Sequence, residues 1–265
     1  MRPAFVLAAS VLAAAPVIAQ EDALKRLESS PRHQEWAQVK SGERTVHAFV
    51  VFPESKEKAP VVVVIHENRG LTDWVRTVAD RLAEAGAIAI APDLLSGAGP
   101  DGGRTKDFAS QDAAREAIGK LVPDQVTADL NAVAEYGLKL PAANGKLAVS
   151  GFCWGGAQTF RFATNRADLK GAFVFYGTSP ADKDAYARIK APVFGFYGGN
   201  DERVNATIAP AVDAMKALGK RYEPVTYDGA GHGFMRAGEE AGATEANRKA
   251  RDEAWTRWKE LLKGI

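Results

Sequence analysis

Hydrophobic and polar positions along this chain follow two rhythms that take turns. Residues 60–65 form an unbroken apolar run, Pro-Val-Val-Val-Val-Ile, the pattern of a strand buried on both faces of a parallel sheet. Shorter apolar runs at 87–91, 146–150, 171–176, 193–197 and 223–227 predict further strands, and residues 45–52 alternate as a half-buried strand does. Between these runs the spacing becomes helical. Leu71, Trp74, Val75, Val78 and Leu82 share one face, and Gly86 stops the helix. Residues 113–121, 123–140, 205–218 and 245–262 predict more helices, with Pro123 suited to a first helical turn. Strand alternating with helix predicts an α/β fold, a mostly parallel central sheet with helices on both faces. Residues 97–104 are glycine-rich and aperiodic, and read as a surface loop. Residues 21–40 are charged and only partly helical in pattern, and are expected to pack loosely. No internal repeat or linker interrupts the chain, so one domain is expected.

Composition sharpens this picture in three places. The 265 residues, 46% of them hydrophobic, suffice for one sizeable core. A formal net charge of +1, with no basic stripe interleaved with aromatics, gives no reason to expect a nucleic-acid partner. The single cysteine, Cys153, excludes an intramolecular disulfide and any multi-cysteine metal site. At the N-terminus, Arg2, an apolar stretch over 4–15 and the small-residue pattern Val17-Ile18-Ala19 read as a signal peptide over 1–19. An N-terminal extension over 20–44 and the main domain over 45–265 follow. The leader is too short and alanine-rich for a spanning helix, and no later run reaches spanning length. The mature chain is therefore expected to be secreted, in the periplasm, without a stable membrane anchor after cleavage and as a monomer.

The chemistry centres on Cys153, set in Gly151-Phe152-Cys153-Trp154-Gly155-Gly156 between a strand-like and a helix-like run. This is the glycine-framed pattern of a nucleophile elbow, with cysteine where serine is usual. Small neighbours permit the tight strand-to-helix turn, and the positive end of the following helix favours a thiolate. A base and an orienting acid should follow later in the chain, just beyond strand ends. Gly198-Gly199-Asn200-Asp201 and Gly229-Ala230-Gly231-His232-Gly233-Phe234 supply both. His232 would take the thiol proton and later protonate the leaving oxygen, and Asp201 would fix the imidazole tautomer. Glu202 is the rival for the acid's place. The loop His66-Glu67-Asn68-Arg69-Gly70 directly follows the most apolar strand. Its position nominates the backbone N–H groups of Asn68 and Trp154 as an oxyanion hole. His66-Glu67 is not a zinc motif, because Gly70 stands where a second histidine is needed, and His66 is expected to orient the loop by hydrogen bonds. Trp154, Phe234 and Trp74 suggest aromatic walls.

With these residues in view, the chain resembles the dienelactone hydrolase family, a branch of the α/β-hydrolases. The residues that carry the likeness are Gly151 to Gly156, Gly199-Asn200-Asp201, Gly231-His232-Gly233-Phe234, the His66-Glu67 loop and Ala91-Pro92-Asp93-Leu94. The resemblance runs from about residue 45 to 262. It implies an α/β-hydrolase fold and hydrolysis of a small-molecule lactone or ester, carboxylate-bearing substrates included, through a thioester acyl-enzyme. It implies no metal and no organic cofactor. By the family pattern Glu67 would help activate Cys153, and Arg236, four residues after His232, would hold a substrate carboxylate. A second family arginine has no counterpart, since Leu95-Ser96-Gly97 stands at that place, and Arg104 and Arg69 are the candidates to replace it. A thiolate is expelled from a tetrahedral intermediate more readily than an unactivated alkoxide, so activated esters are the expected substrates. A broader carboxylesterase or thioesterase, or a non-catalytic relative that senses oxidants through its thiol, are the alternatives.

Overall fold

The computed structural model describes residues 15–265, and side chains from 22 onward. Residues 1–14 of the predicted signal peptide lie outside the described residues, and 15–19 begin the first helix. Eight strands form one sheet in the order β1-β2-β4-β3-β5-β6-β7-β8. These are β1 (Gln34–Ser41), β2 (Arg44–Val51), β3 (Ala59–Ile65), β4 (Ile88–Asp93), β5 (Ala143–Phe152), β6 (Gly171–Phe175), β7 (Val193–Gly198) and β8 (Tyr222–Tyr227). β1 and β2 pair antiparallel, as do β2 and β4, and every other neighbouring pair is parallel. The expected mostly parallel sheet is thus what the chain forms.

The apolar runs explain which strands lie centrally. Val61 to Ile65 of β3 have no exposed surface, and burying each such side chain is worth roughly 1.5–3 kcal/mol. α4 (Pro123–Leu138) and α5 (Trp154–Asn165) cover one face, and α2 (Asp73–Glu84) and α9 (Glu245–Leu262) the other. α1 (Ala15–Glu28), α3 (Gln111–Gly119), α6 (Glu202–Asn205), α7 (Ile208–Ala217) and α8 (Phe234–Ala237) complete the described helices. None of them is long and apolar enough to cross a membrane.

Strand order reverses at β3, whose connection leads to β4 on one side before the chain crosses to β5 on the other. Such a reversal opens a crevice beyond the carboxyl ends of the two strands. Register sets those ends side by side, with Ile65 opposite Gly151, Phe152 opposite Phe175, and Phe175 opposite Phe196. The loops after β3, β5, β6, β7 and β8 therefore meet at one rim.

The expectation of loose packing over 21–40 is corrected. All eight residues of β1 pair with β2, and Ala37, Val39 and Ser41 turn inward. β1 is an edge strand whose other positions, Trp36 apart, are polar or charged, as edges resist aggregation, so its hydrophobic signal is faint. Ala23 and Leu27 of α1 are buried as well. The glycine-rich loop is also tied down: Thr105 donates its hydroxyl and its backbone N–H to the Asp93 carboxylate, at 2.6 and 3.0 Å.

Candidate active site

Cys153 stands between β5 and α5 with φ +57° and ψ −115°, a conformation that costs a non-glycine residue on the order of 1–3 kcal/mol. Its neighbours enforce the turn. A β-carbon on Gly151 would collide with the carbonyl of Gly155, and one on Gly155 with the carbonyls of Ile65 and His66. The glycine frame read from the sequence is thus a packing requirement between β3, β5 and the first turn of α5. The Cys153 N–H bonds the Phe175 carbonyl at 3.0 Å, and the thiol is half-buried.

His232 approaches from the loop after β8. Asn200 bridges that loop to the turn after β7, its N–H donating to Ala230 O at 2.9 Å and its side-chain amide to Gly229 O at 3.0 Å. Asp201 divides its two oxygens. One caps α6 through the Val204 N–H, and the other lies 2.5 Å from His232 Nδ1. The carboxylate is buried and held from both sides, whereas Glu202 is exposed. With Nδ1 directed at Asp201, the other imidazole nitrogen is left for the sulfur. The neighbouring Cys153 does most to push His232 up to about 9, with Asp201 adding to it and burial opposing.

The loop after β3 closes a third side. His66 is fully buried, its Nδ1–H donating to Glu67 O at 2.8 Å while Nε2 accepts the Leu94 N–H at 3.3 Å. Burial holds its pKa below the usual value, so this ring is a neutral strut for the loop, stacked on Trp154 at 5.5 Å. The N–H groups of Asn68 and Trp154 have no acceptor among the described residues. Buried Glu67 accepts from Arg236 Nε at 3.1 Å, and Arg236 also bonds Glu240 at 2.7 Å.

The dienelactone hydrolase family profile matches residues 46–265. A "putative carboxymethylenebutenolidase" of Escherichia coli K12 is 33% identical over 192 residues, 68% of this chain and 69% of that protein. A protein of Saccharolobus solfataricus bearing the same description is 28% identical over 256 residues, covering 83% and 94%. The crystal structure of a "putative dienelactone hydrolase" from Klebsiella pneumoniae superposes with a TM-score of 0.77 at 25% identity, over 88% of this chain and 99% of that one. The chain belongs to the dienelactone hydrolase family. It is accordingly a carboxylic ester hydrolase with an α/β-hydrolase fold.

Two residues named from the sequence do not join the cluster in this family member. Arg104 lies with its guanidinium over the Trp36 ring, 4.3 Å from the centroid, so it braces the β1 edge rather than binding substrate. Phe234 is fully buried, wedged between Tyr176 and Tyr227 at 5.4 and 5.2 Å, and has no surface to offer. Arg236 is present at the rim, but both its partners are carboxylates of this chain.

One residue went unmarked in the sequence. Tyr176 ends the β6 run with φ +38°, is fully buried, and packs its ring edge-on to His232 at 5.2 Å. Burial first, then the Glu67 charge, raises its pKa well above the usual value, and its hydroxyl has no partner among the described residues. The only signal was its place immediately after a strand end, where this fold collects functional groups.

Proposed function

We propose that this hydrolase cleaves lactones and activated esters with Cys153 as nucleophile. The observation that carries the reading is the convergence at one rim of a strained elbow cysteine with an imidazole that is bonded to a buried carboxylate. Cys153, as thiolate beside the His232 imidazolium, attacks the carbonyl carbon, and the oxyanion forms between the free N–H groups of Asn68 and Trp154. Collapse breaks the C–O bond, His232 protonates the departing oxygen, and the acyl group stays on sulfur as a thioester. His232, now neutral, takes a proton from water as the water attacks the thioester, and the acid and the thiolate are released. Asp201 holds the tautomer and stabilises the imidazolium. Glu67 lies at the same rim and is the carboxylate we assign to helping thiolate form, with Arg236 holding its charge in the resting enzyme.

Small-molecule lactones and esters are the proposed substrates, in keeping with the carboxymethylenebutenolidase description of the E. coli relative. The leader-like sequence over 1–19 supports export to the periplasm, where we place the mature chain as a monomer. The test is a substrate panel run on wild type, Cys153→Ala and Cys153→Ser. p-Nitrophenyl acetate and conjugated lactones should turn over rapidly in wild type and ethyl esters poorly, and Cys153→Ala should lose at least ~10³-fold in kcat. Equal turnover of ethyl and p-nitrophenyl esters would contradict the thiolate mechanism.

A further inference from the structure

β6 lies between β5, which carries the elbow, and β7, which leads to Asp201. Its last carbonyl, on Phe175, accepts the Cys153 N–H at 3.0 Å. The next residue, Tyr176, donates its own N–H to Phe196 O of β7 at 2.8 Å. Tyr176 thus follows directly on the bond that holds the elbow and is itself tied to the strand that delivers the acid.

Its φ of +38° is rare for a bulky residue. Such a conformation persists only where the surroundings impose it, and it clusters at functional sites. Here the next residue helps impose it. Gly177 lies so close to the first turn of α5 that a β-carbon on it would collide with the backbone of Gly156 and Ala157. The Tyr176 ring, fully buried, packs on Phe152, Phe175 and Phe234 with centroids 6.2, 6.5 and 5.4 Å away. It also meets the His232 imidazole, 5.2 Å away at an interplanar angle of 64°.

His232 needs such a neighbour. It stands between Gly231 and Gly233 in a loop, and its side chain is 35% exposed. The bond from Nδ1 to Asp201 fixes one ring atom. About that bond the imidazole can still swing, carrying its other nitrogen away from the sulfur. Fixing the plane takes a second constraint, and a buried ring held by its own backbone supplies one. This ring brings no charge. Burial first, then Glu67, keeps the Tyr176 hydroxyl well above its usual pKa. The groups that set the protonation of His232 are Cys153 from the elbow and Asp201 from the turn after β7.

We propose that Tyr176 is a positioning residue: its strained backbone holds its ring against His232, and the ring keeps the second imidazole nitrogen directed at Cys153. The proposal rests on the cysteine-hydrolase reading for the reaction it serves. It assigns the function to the ring and not to the hydroxyl.

Tyr176→Leu and Tyr176→Met fill much of the space without a ring, and Tyr176→Phe restores the ring without the hydroxyl. On p-nitrophenyl acetate the two ringless variants should lose about tenfold or more in kcat with KM within about twofold, since displacing a catalytic group by about 1 Å costs on the order of 10²-fold. Tyr176→Phe should recover kcat to within about threefold of wild type. Alkylation of Cys153 by iodoacetamide at neutral pH, without substrate, should be about tenfold slower in the ringless variants and near wild type in Tyr176→Phe. A lower Tm with kcat per folded molecule and alkylation unchanged would reduce Tyr176 to packing and overturn the proposal. An equal loss in Tyr176→Phe would move the function to the hydroxyl and overturn it too. Where the ringless variants do not fold, wild type decides. NMR relaxation of the His232 imidazole, assigned by its absence in His232→Gln, should show a ring as ordered as the backbone, and nanosecond ring motion would overturn the proposal. If wild type cleaves no ester, the hydrolase reading fails, while alkylation and relaxation still judge Tyr176.

Discussion

The rim around Cys153 and the wall formed by α1 are built by opposite means. At the rim, backbone does the positioning. Strand register sets Ile65, Gly151, Phe175 and Phe196 in line, and glycines permit contacts that any β-carbon would block. At the wall, side chains from distant parts of the chain do it: Arg26, Ser30 and Arg32 converge on a single buried carboxylate, Asp80. Reaction chemistry needs atoms fixed to a few tenths of an ångström, which packed backbone provides. A helix docked at the periphery needs no such precision, and ion pairs on one buried carboxylate suffice to hold it.

The sharpest way to break this contrast is to alter the rim while leaving the wall untouched. His232→Gln should cost ~10³-fold or more in kcat, measured by steady-state kinetics. Asp201→Asn should cost less, roughly 10²-fold, because the imidazole persists but loses the carboxylate that orients it. A loss confined to KM in either variant would remove these residues from the chemistry.

Altering the wall should do the reverse. Asp80→Ala leaves Arg32 buried without its partner and should lower stability by about 3 kcal/mol in urea titration. kcat for p-nitrophenyl acetate in the folded protein should stay within about twofold. A large fall in kcat would show that wall and rim are not separable.

The smallest effect concerns pH. His232 sits at about 9 in the fold, held there by Cys153 and Asp201 against burial, above its unfolded value near 6.5. Its contribution to stability is therefore full below about pH 6.5 and lost as pH rises through about 9. Cys153→Ala removes the largest cause, so the fall in Tm between pH 6.5 and 9.5 should be shallower in that variant than in wild type. Parallel Tm curves would deny that the thiol raises the imidazole.

The same contrast explains what was legible in the amino-acid sequence. Strands β3 to β8 and the elbow announce themselves through local patterns, because apolar runs and glycine spacing are properties of neighbours along the chain. The β3 loop and the placement of Asp201 and His232 followed from topology, since functional loops gather beyond strand ends. β1 and the docking of α1 were hidden: an edge strand carries half the usual apolar signal, and Asp80 meets Arg32 across 48 positions. Arg104 and Phe234 were misread for the same reason. Nothing local tells that one arginine will lie on Trp36, or that a phenylalanine two residues from His232 faces inward. Tyr176 read as the end of a strand, because a positive φ on a tyrosine is imposed by packing rather than by its own preference.

Mass spectrometry of the protein quenched during turnover of p-nitrophenyl acetate tests the central claim most directly. A single acetyl group on the peptide containing Cys153, formed at least as fast as steady-state turnover and absent in Cys153→Ala, is the predicted result. Sustained turnover with Cys153 unacylated at every time point would contradict covalent catalysis by this sulfur.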